Sequence, residues 1–422
     1  MTDREFRTRL TWLLALVALM AALLAVACGG DDDDDDAGGS VGFSDAGYKT
    51  AGLDKAKVIT VDGDIPIGIS SALTGDAAGL GIPIADSAEL ASEGVMIKGH
   101  KIQWVRSDDL CTPEAGPTAA DRLIKANVVA AVGPICSGGT RASLKVYDDA
   151  GITHISPSAT AGDLTEPVRP EGPYVTFFRV PVLNADEARE QAKFAYDVLK
   201  AKKAFVVFDT DDYGKDLATQ FQKYFKEEGG TIVGTPTGYE KKQTDFKSII
   251  SSIKEAKPDV IYQAGFYAEA TPFLQQLRAE SDLKSIPYVG GDGIKNDELI
   301  TGAKDAAEGA YLALPGTQGS QFETYKKLYS EKFKGNAETA TFGAEAYDAA
   351  TAIIKAIEKV AVEKSGKLEI DLKKLNEEIK KSDFEGASGK VTFGDNGNRA
   401  GGVVRFFKVE GGKYVQLEAG KK

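Results

Sequence analysis

Short apolar runs alternate with amphipathic stretches along most of this chain. The runs that begin at Ile65, Val128 and Ile152 have the length and composition of buried strands. The same alternation restarts after Phe178 and continues as far as Val289. Buried strands that are separated by helices form parallel sheets with helices on both faces. The pattern therefore predicts an α/β protein with two doubly wound parallel sheets.

The predicted elements fall into two groups. Those of the first sheet are strands at 65–70, 101–107, 128–132 and 152–156, with helices at 83–95, 113–125 and 138–149. Those of the second sheet are strands at 204–208, 231–233, 260–263 and 286–289, with helices at 184–200, 213–228, 244–254 and 269–280. Asn184 is the candidate N-cap of the first helix in the second group, because an Asn side chain accepts hydrogen bonds from first-turn amides.

The chain after the second group returns between the two sheets. A strand at 311–314 ends at Pro315 and is interpreted as a crossing, followed by helices at 321–334, 341–362 and 372–381 and by β-like segments at 390–393, 402–409 and 414–417. We therefore expect lobe one to comprise 57–181 plus 315–389, and lobe two to comprise 182–314 plus 390–420. Ligands of open α/β sheets bind outside the carboxyl ends of the strands, so the cleft between the lobes is the expected binding site.

The first residues carry the pattern of an export signal. A start rich in arginine precedes the apolar segment Leu10–Ala27, which is the order typical of a secretory signal. The small residues before Cys28 resemble a bacterial lipobox, so we predict a signal peptide over 1–27 and a lipid on Cys28. A transmembrane anchor is the alternative, since the apolar run is near the lower length limit for a membrane span.

An acidic and glycine-rich stretch follows the cysteine. Asp31 to Asp36 supply half of the net charge of −12. Such a stretch buries no apolar surface, so residues 28–56 are predicted to form a disordered tether. No basic tract suggests nucleic-acid binding. We expect a soluble folded part that is lipid-anchored at the outer face of the cytoplasmic membrane.

The chain contains three cysteines. With Cys28 assigned to lipid, Cys111 and Cys136 remain as an even pair in an oxidising compartment, which favours a disulfide. Two free thiols are the alternative at this point. No Cys/His cluster has metal-ligand spacing, so no metal site is predicted.

Catalytic motifs are missing from the sequence. It contains no G-x-S-x-G motif, and Gly386–Lys390 lacks the first glycine and the final Ser or Thr of a phosphate-binding loop. The two histidines are His100, in a polar turn, and His154, which lies in an apolar strand and is interpreted as a packed structural residue. We therefore predict a binding protein without a cofactor, with an extracellular hydrolase as the alternative from the enzyme class.

Three polar segments follow predicted strands of lobe one, namely Gly75–Gly81, Gly133–Thr140 and Ser156–Thr160. Ser137 immediately precedes a predicted helix, whose free N–H groups and dipole suit a carboxylate. Capping and turn chemistry alone would also explain Ser137 and Thr160.

In this order and spacing, these segments resemble the branched-chain amino-acid (leucine/isoleucine/valine) binding proteins of ABC transporters. Ser107–Cys111 and Asp209–Gly214 extend the resemblance, which runs from about Ile65 to Phe407. It implies the type I periplasmic-binding fold, in which two lobes joined by a three-crossing hinge close like a Venus flytrap. It also implies that the two remaining cysteines are paired.

The resemblance further implies the ligand contacts. Backbone amides at Ser137 and Thr160 would hold an α-carboxylate, while the Ser158 carbonyl and the Thr160 hydroxyl would face the α-ammonium group. Asp292 would pair with that ammonium group from lobe two, and aromatic side chains would cover the ligand. The ligand-binding residues implied in this way are Leu80, Ser137, Ser158, Ala159, Thr160, Tyr213, Phe266 and Asp292.

Three of these positions depart from the family pattern, which often has an aromatic residue, a tyrosine and a glutamate at Leu80, Phe266 and Asp292. Phe266 lacks a hydroxyl, and Asp292 is shorter by one methylene group. Amino-acid recognition is kept, but the amino acid is left open. The simpler interpretations are a helix start for Tyr213, a core position for Phe266 and turn chemistry for Asp292.

We therefore expect a monomeric, exported lipoprotein that captures a small aliphatic amino acid and delivers it to an ABC permease. The alternative is a sensory binding protein of the same fold for amides, urea or another small polar ligand, acting without a permease.

Overall fold

The computed structural model describes residues 42–166, 169–316 and 318–418. The predicted signal peptide, Cys28 and the aspartate run lie outside these residues. Within them, none of the helices has the length and apolarity needed to cross a bilayer.

Lobe one is built on a parallel sheet, as predicted, but the sheet has five strands, since β6 (Phe177–Arg179) adds to the four that were expected. Its strands are β2 (Ile65–Ser71), β3 (Ile102–Asp108), β4 (Ala131–Val132), β5 (His154–Ser156) and β6, in the order β3-β2-β4-β5-β6. The connecting helices are α2 (Ala78–Leu90), α3 (Ala115–Lys125) and α4 (Ser137–Ala150). The interior strand β2 is almost wholly buried, which explains its unbroken apolar character.

Lobe two contains an eight-stranded sheet. Five parallel-paired strands are β7 (Lys203–Asp209), β8 (Thr231–Ile232), β9 (Thr237–Tyr239), β10 (Val260–Ala264) and β11 (Tyr288–Gly290). β12 (Tyr311–Pro315) pairs parallel with β11, and β17 (Val404–Glu410) and β18 (Lys413–Gln416) continue the sheet in antiparallel fashion. The helices are α5 (Asn184–Lys193), α6 (Asp212–Glu227), α7 (Lys247–Ala256), α8 (Tyr267–Ala279) and α9 (Asp297–Ala303), and α5 continues into a π-helical turn over Phe194–Val198.

The remaining elements complete lobe one and include strands that the sequence pattern did not predict. They are α1 (Asp45–Thr50), β1 (Val58–Val61), α10 (Phe322–Phe333), α11 (Gly343–Val360), β13 (Val362–Lys364), β14 (Lys367–Asp371), α12 (Leu372–Lys380), β15 (Asp383–Gly386) and β16 (Gly389–Thr392). β1, β14 and β13 form a small antiparallel sheet, and β15 and β16 form a hairpin. Single 3₁₀ turns occur at Gly162–Leu164, Asp292–Ile294 and Lys304–Ala307.

Two expectations were wrong, one about the start of the folded part and one about the start of α5. The predicted tether over 28–56 includes α1, and Ala51 and Leu53 beyond it are buried in the core. Apolar residues after Gly42 therefore join the fold. Asn184 does not cap α5, since its amide group instead donates to the carboxylate of Asp216 at 2.9 Å.

The helix predicted from Pro83 begins earlier, at Ala78. Proline has no N–H group, so the carbonyl of Gly79 lacks its partner within the helix. The side-chain amide of Asn296, in lobe two, donates to that carbonyl at 3.0 Å. The helix can therefore pass through Pro83, because a contact from the other lobe satisfies the exposed carbonyl.

Three connections join the lobes, after β6, after β12 and before β17. They run side by side. Gly316 donates its N–H to the carbonyl of Val403 at 2.7 Å, and Gly402 lies so close to Val182 that a Cβ there would be 1.7 Å from its Cγ1. Adjacent crossings of this kind form the hinge of a two-lobed protein.

The position of the last crossing bears on the lobe boundaries. Arg179 of β6 donates its N–H to the carbonyl of Gly397 at 3.0 Å and accepts from the N–H of Arg399 at 3.1 Å. Residues up to Arg399 therefore pair with lobe one. We propose that the last boundary follows Arg399, later than the 389/390 boundary expected from the sequence.

Candidate ligand-binding cleft

The carboxyl ends of the strands in both sheets face the same cleft, and loops from the two lobes meet across it. The hydroxyl of Tyr267 in lobe two donates to the carbonyl of Asp76 in lobe one at 2.7 Å. The ammonium group of Lys241 donates to the carbonyl of Cys111 at 2.8 Å. The lobes are thus in direct contact, as expected for a closed arrangement.

On the lobe-one side, Ser137 is the first residue of α4 and is buried. Its hydroxyl accepts a hydrogen bond from the N–H of Ala161 at 3.2 Å, which holds the loop after β5 against the start of the helix. The disulfide between Cys111 and Cys136 is present, with a Cα–Cα distance of 5.2 Å. It joins the loop after β3 to the same helix start and confirms the expected pairing.

Gly133 sets the path of the loop before α4. Its φ is +100°, and a Cβ there would lie 2.0 Å from the carbonyl oxygen of Ser70. Only glycine allows both the left-handed conformation and this close approach to β2. The glycine therefore brings the amino end of α4 to the floor of the cleft.

The loop after β5 contains a buried hydroxyl that is unsatisfied. The carbonyl of Thr160 accepts from the N–H of Asn184 at 2.9 Å, but among the described residues its Oγ1 has no hydrogen-bond partner and is fully buried. The neighbouring groups are occupied, since Ser158 donates its hydroxyl to the carbonyl of Ile135 at 2.7 Å and Ala159 accepts from Arg179 at 3.2 Å. An unsatisfied buried hydroxyl is costly, which marks Thr160 as a candidate ligand contact.

On the lobe-two side, Tyr213 and Asp292 are in contact. The tyrosine hydroxyl donates to Oδ1 of Asp292, and the N–H of Gly293 donates to the same oxygen at 2.9 Å. Burial raises the pKa of Asp292 to about 6. The Tyr213 ring packs against Phe266 with centroids 5.2 Å apart. The structure thus brings these three predicted residues together.

Glu187 also belongs to this group, although the sequence analysis did not single it out. It lies in the first turn of α5, and its Oε1 accepts from the N–H of Asp292 at 3.1 Å and from Nε2 of Gln191 at 2.9 Å. Its Oε2 is buried without a partner in the part of the chain that the structure describes. Burial, followed by the charge of Asp292, raises the pKa of Glu187 well above its usual value. The sequence signal that could have pointed to Glu187 is its position, since it is an acid that directly follows a crossing between the lobes.

A cavity of about 160 Å³ lies between the two lobes. It is lined by Gly75–Ala77 and Leu110–Thr112 of lobe one and by Lys241, Lys242, Phe266, Ala268 and Glu269 of lobe two. A cavity of about 150 Å³ holds a benzene molecule in another protein, so this one has room for a small apolar side chain.

Of the predicted site residues, Phe266 lines this cavity, whereas Ser137, Ser158, Ala159, Thr160, Tyr213 and Asp292 do not. Leu80 belongs to neither of the groups of contacts around Ser137 and Asp292. It lies in the first turn of α2, is buried in the core and does not line the cavity. Its contact with a ligand stays a prediction. A larger cavity of about 760 Å³ lies beside β17 and contains none of the predicted site residues, so the cleft is the better candidate site.

Comparison with known proteins identifies the family. A family model described as periplasmic binding protein matches residues 64–413, which is most of the chain. The chain belongs to this family. Members are solute-binding proteins that work outside the cytoplasm, rather than enzymes.

Individual relatives agree with this assignment. A leucine-, isoleucine-, valine-, threonine- and alanine-binding protein of Pseudomonas aeruginosa is 29% identical over 79% of this chain and 87% of its own length. A leucine-binding protein of Thermotoga maritima is 25% identical, with a TM-score of 0.74 over 84% of this chain and 98% of that chain. A solute-binding protein of R. palustris in complex with benzoate shares the fold, at 22% identity and a TM-score of 0.73 over 85% of this chain and 97% of that chain.

The family assignment agrees with the environment of His154, a side chain that could suggest other chemistry. His154 is fully buried, its Nδ1 lies 2.9 Å from the carbonyl oxygen of Gly133, and burial lowers its pKa to about 4. It is therefore the packed structural residue that was predicted. No cluster of three or more His, Cys, Asp or Glu side chains suitable for a metal occurs within 42–166, 169–316 and 318–418.

Proposed function

We propose that this periplasmic binding protein captures a small amino acid in the cleft and delivers it to the permease of an ABC importer. The observation that carries the proposal is the opposition of two unlike surfaces. The amino end of α4, at Ser137, faces the amino end of α6, because Arg141 of α4 pairs with Asp212 of α6 at 2.6 Å. Next to Asp212, Tyr213 holds the buried carboxyl of Asp292. A zwitterion complements both, because a helix amino end attracts a carboxylate and an acid attracts an ammonium group.

Each predicted residue except Leu80 has a role in this proposal. The carboxylate of the ligand binds at Ser137, with Ser158, Ala159 and Thr160 forming the adjacent wall. The unsatisfied hydroxyl of Thr160 gains a hydrogen bond when the ligand enters.

On lobe two, Asp292 pairs with the ammonium group, while Tyr213 orients Asp292 through their hydrogen bond. Phe266 covers the ligand and directs its side chain towards the 160 Å³ cavity, which Phe266 itself lines. The size of that cavity favours an aliphatic side chain over a large aromatic one.

The relatives support the ligand class, since the names of the Pseudomonas and Thermotoga proteins refer to aliphatic amino acids. The benzoate complex shows that the fold also accepts a carboxylate without an ammonium group. Here, two buried acids on lobe two would repel such an anion, and they favour a ligand that carries a positive charge.

We also propose that Cys28 carries a lipid and holds the protein, as a monomer, near the permease at the outer face of the membrane. The lipobox-like sequence before Cys28 and the aspartate run after it support this arrangement.

The ligand class is tested by calorimetry and thermal shift on residues 40–422, which form one compact unit. The ligands are leucine, valine, alanine, lysine, benzoate, acetamide and urea. We expect an aliphatic amino acid to bind in the micromolar range and, at a thousandfold excess over Kd, to stabilise the fold by about 4 kcal/mol. Binding of benzoate or urea without any response to an amino acid would refute the proposal.

A further inference from the structure

Glu187 and Asp292 are two buried acids in contact at the base of the cleft. Glu187 is 0% and Asp292 is 1% exposed. They come from different elements, the first turn of α5 and the 3₁₀ turn after β11. The N–H of Asp292 donates to Oε1 of Glu187 at 3.1 Å, while Oε2 of Glu187 has no partner within the described ranges. The contact therefore leaves one buried carboxyl oxygen unsatisfied.

The groups that face this pair are neutral or acidic. α6 contributes Tyr213, whose hydroxyl donates to Asp292, and Asp216, which accepts from Asn184. β10 contributes Tyr262, which donates its hydroxyl to Gln191. Gln191 of α5 in turn donates to Glu187 at 2.9 Å and to the carbonyl of Gly290, at the end of β11, at 3.2 Å.

No ion pair to either acid of the Glu187–Asp292 pair is present in the described part of the chain. Lys295, three residues after Asp292, is also buried, but its ammonium group lies over the rings of Phe407 and Tyr414. The other buried cation of this region, Arg179, donates to the carbonyls of Ala159 and Ala161 and to Thr165. It is therefore committed to the loop after β5.

Two neighbouring carboxyl groups that are buried without a cation do not both ionise near neutral pH. We propose that Glu187 and Asp292 share a proton in the ligand-free protein, and that capture of a ligand ammonium group releases this proton to solvent. The inference rests on the proposed function, because it needs an ammonium group to enter beside Asp292. It goes further by making Glu187 a specificity-determining residue and by linking ligand affinity to pH.

The direction of the linkage follows from mass action. If a proton leaves when the ligand binds, affinity rises with pH, by up to about tenfold per pH unit for one proton released. A single ionised carboxylate would release no proton near pH 7 and would give a flat profile. Proton release therefore separates a shared pair from one acid acting alone.

The test measures leucine binding by calorimetry at pH 7 in phosphate and in Tris, buffers whose ionisation enthalpies differ. The difference in apparent enthalpy gives the number of protons released for each leucine bound. We expect release in the wild type and in Glu190→Gln, a matched control on the exposed side of α5. In Glu187→Gln we expect proton release to be lost. The affinity for leucine should then no longer rise between pH 6 and 8, and leucine should bind more weakly than in the wild type.

A second measurement needs no ligand. The folded pair holds a proton that the unfolded chain gives up above the ordinary carboxyl pKa, so the free energy of unfolding of the wild type should fall as pH rises from about 5 to 8. Glu187→Gln and Asp292→Asn should each reduce this fall, and Glu190→Gln should not. Having two variants of the pair keeps the test valid if one does not fold.

The outcomes distinguish the two proposals. Equal proton release in the wild type and in Glu187→Gln, with leucine bound, would overturn the inference and leave the proposed function standing. Equal pH slopes of stability in all variants would also overturn proton sharing. If no ammonium-bearing ligand binds, the proposed function fails and the release step fails with it.

Discussion

Replacing Asp292 by asparagine should weaken ligand binding and strengthen the fold at the same time. Asparagine has nearly the same shape and keeps an oxygen that can accept from Tyr213 and from the N–H of Gly293. The negative charge opposite the ligand ammonium group is lost. A hydrogen bond to a charged group contributes about 1.5–3 kcal/mol, so Kd should rise about 10- to 150-fold.

The stability effect has the opposite sign. Burial raises the pKa of Asp292 from 3.8 to about 6, so ionising it at pH 7 costs the folded state about 3 kcal/mol, to an order of magnitude. The pKa of Asp292 is higher in the folded protein than in the unfolded chain, so binding of its proton stabilises the fold. This stabilisation is complete below about pH 4. It is lost as pH rises through 6. The free energy of unfolding of Asp292→Asn at pH 7 should therefore exceed that of the wild type by about 1–3 kcal/mol. This gain in stability should vanish below pH 4.

The assays are calorimetric titration with leucine and chemical denaturation between pH 4 and 8. Asp305→Asn, an exposed acid in the same lobe, serves as the matched control and should change neither quantity. Tight leucine binding by Asp292→Asn would refute the assignment of Asp292 to the ammonium group. Loss of stability at pH 7 would refute the argument from burial.

Three further changes test other parts of the account. Thr160→Val removes a buried hydroxyl without a partner, so chemical denaturation should show a free energy of unfolding about 1 kcal/mol higher in the ligand-free protein. Calorimetry should show weaker ligand binding, and unchanged affinity would contradict the role assigned to Thr160. Reducing the disulfide between Cys111 and Cys136, which spans a sequence separation of 25, should lower the free energy of unfolding by roughly 3–4 kcal/mol in the chain-entropy model, and no change would contradict it. Cys28→Ser should move the protein from the membrane to the soluble fraction on cell fractionation, and retention in the membrane would argue against a lipid there.

The parts of the fold that the sequence predicts are those governed by burial. β2, β7 and β10 are almost wholly buried, so their residues form unbroken apolar runs that a pattern can detect. β13 is exposed throughout and carries no such run, which is why it was missed. β15 has only one buried residue among its four and was missed for the same reason.

Local rules failed where a distant residue decides the outcome. Pro83 indicates a helix start, yet α2 passes through it because Asn296 satisfies the carbonyl of Gly79. Asn184 indicates a cap, yet its side chain reaches Asp216 instead. Both exceptions involve residues at the hinge or in a contact between lobes, where tertiary structure overrides local preference.

The candidate site also contains features that could be predicted from the sequence and features that could not. Ser137 and Thr160 follow buried strands in a recognisable order, so their neighbourhood could be predicted from sequence. The contact between Glu187 and Asp292 could not, because it joins residues more than a hundred positions apart, on elements that only the folded chain brings together.

The unsatisfied groups of the cleft are best explained together. Oγ1 of Thr160, Oδ1 of Asn184 and Oε2 of Glu187 are all buried without partners in the described part of the molecule, and each costs the ligand-free fold stability. They are connected, since Asn184 bonds to the carbonyl of Thr160 and to the carbonyl of Tyr213, and Tyr213 bonds to Asp292 beside Glu187. Three independent defects would be unusual in one small region. We propose that a polar ligand satisfies all three on binding, which would put the binding site at the hinge-side base of the cleft, where both lobes contribute.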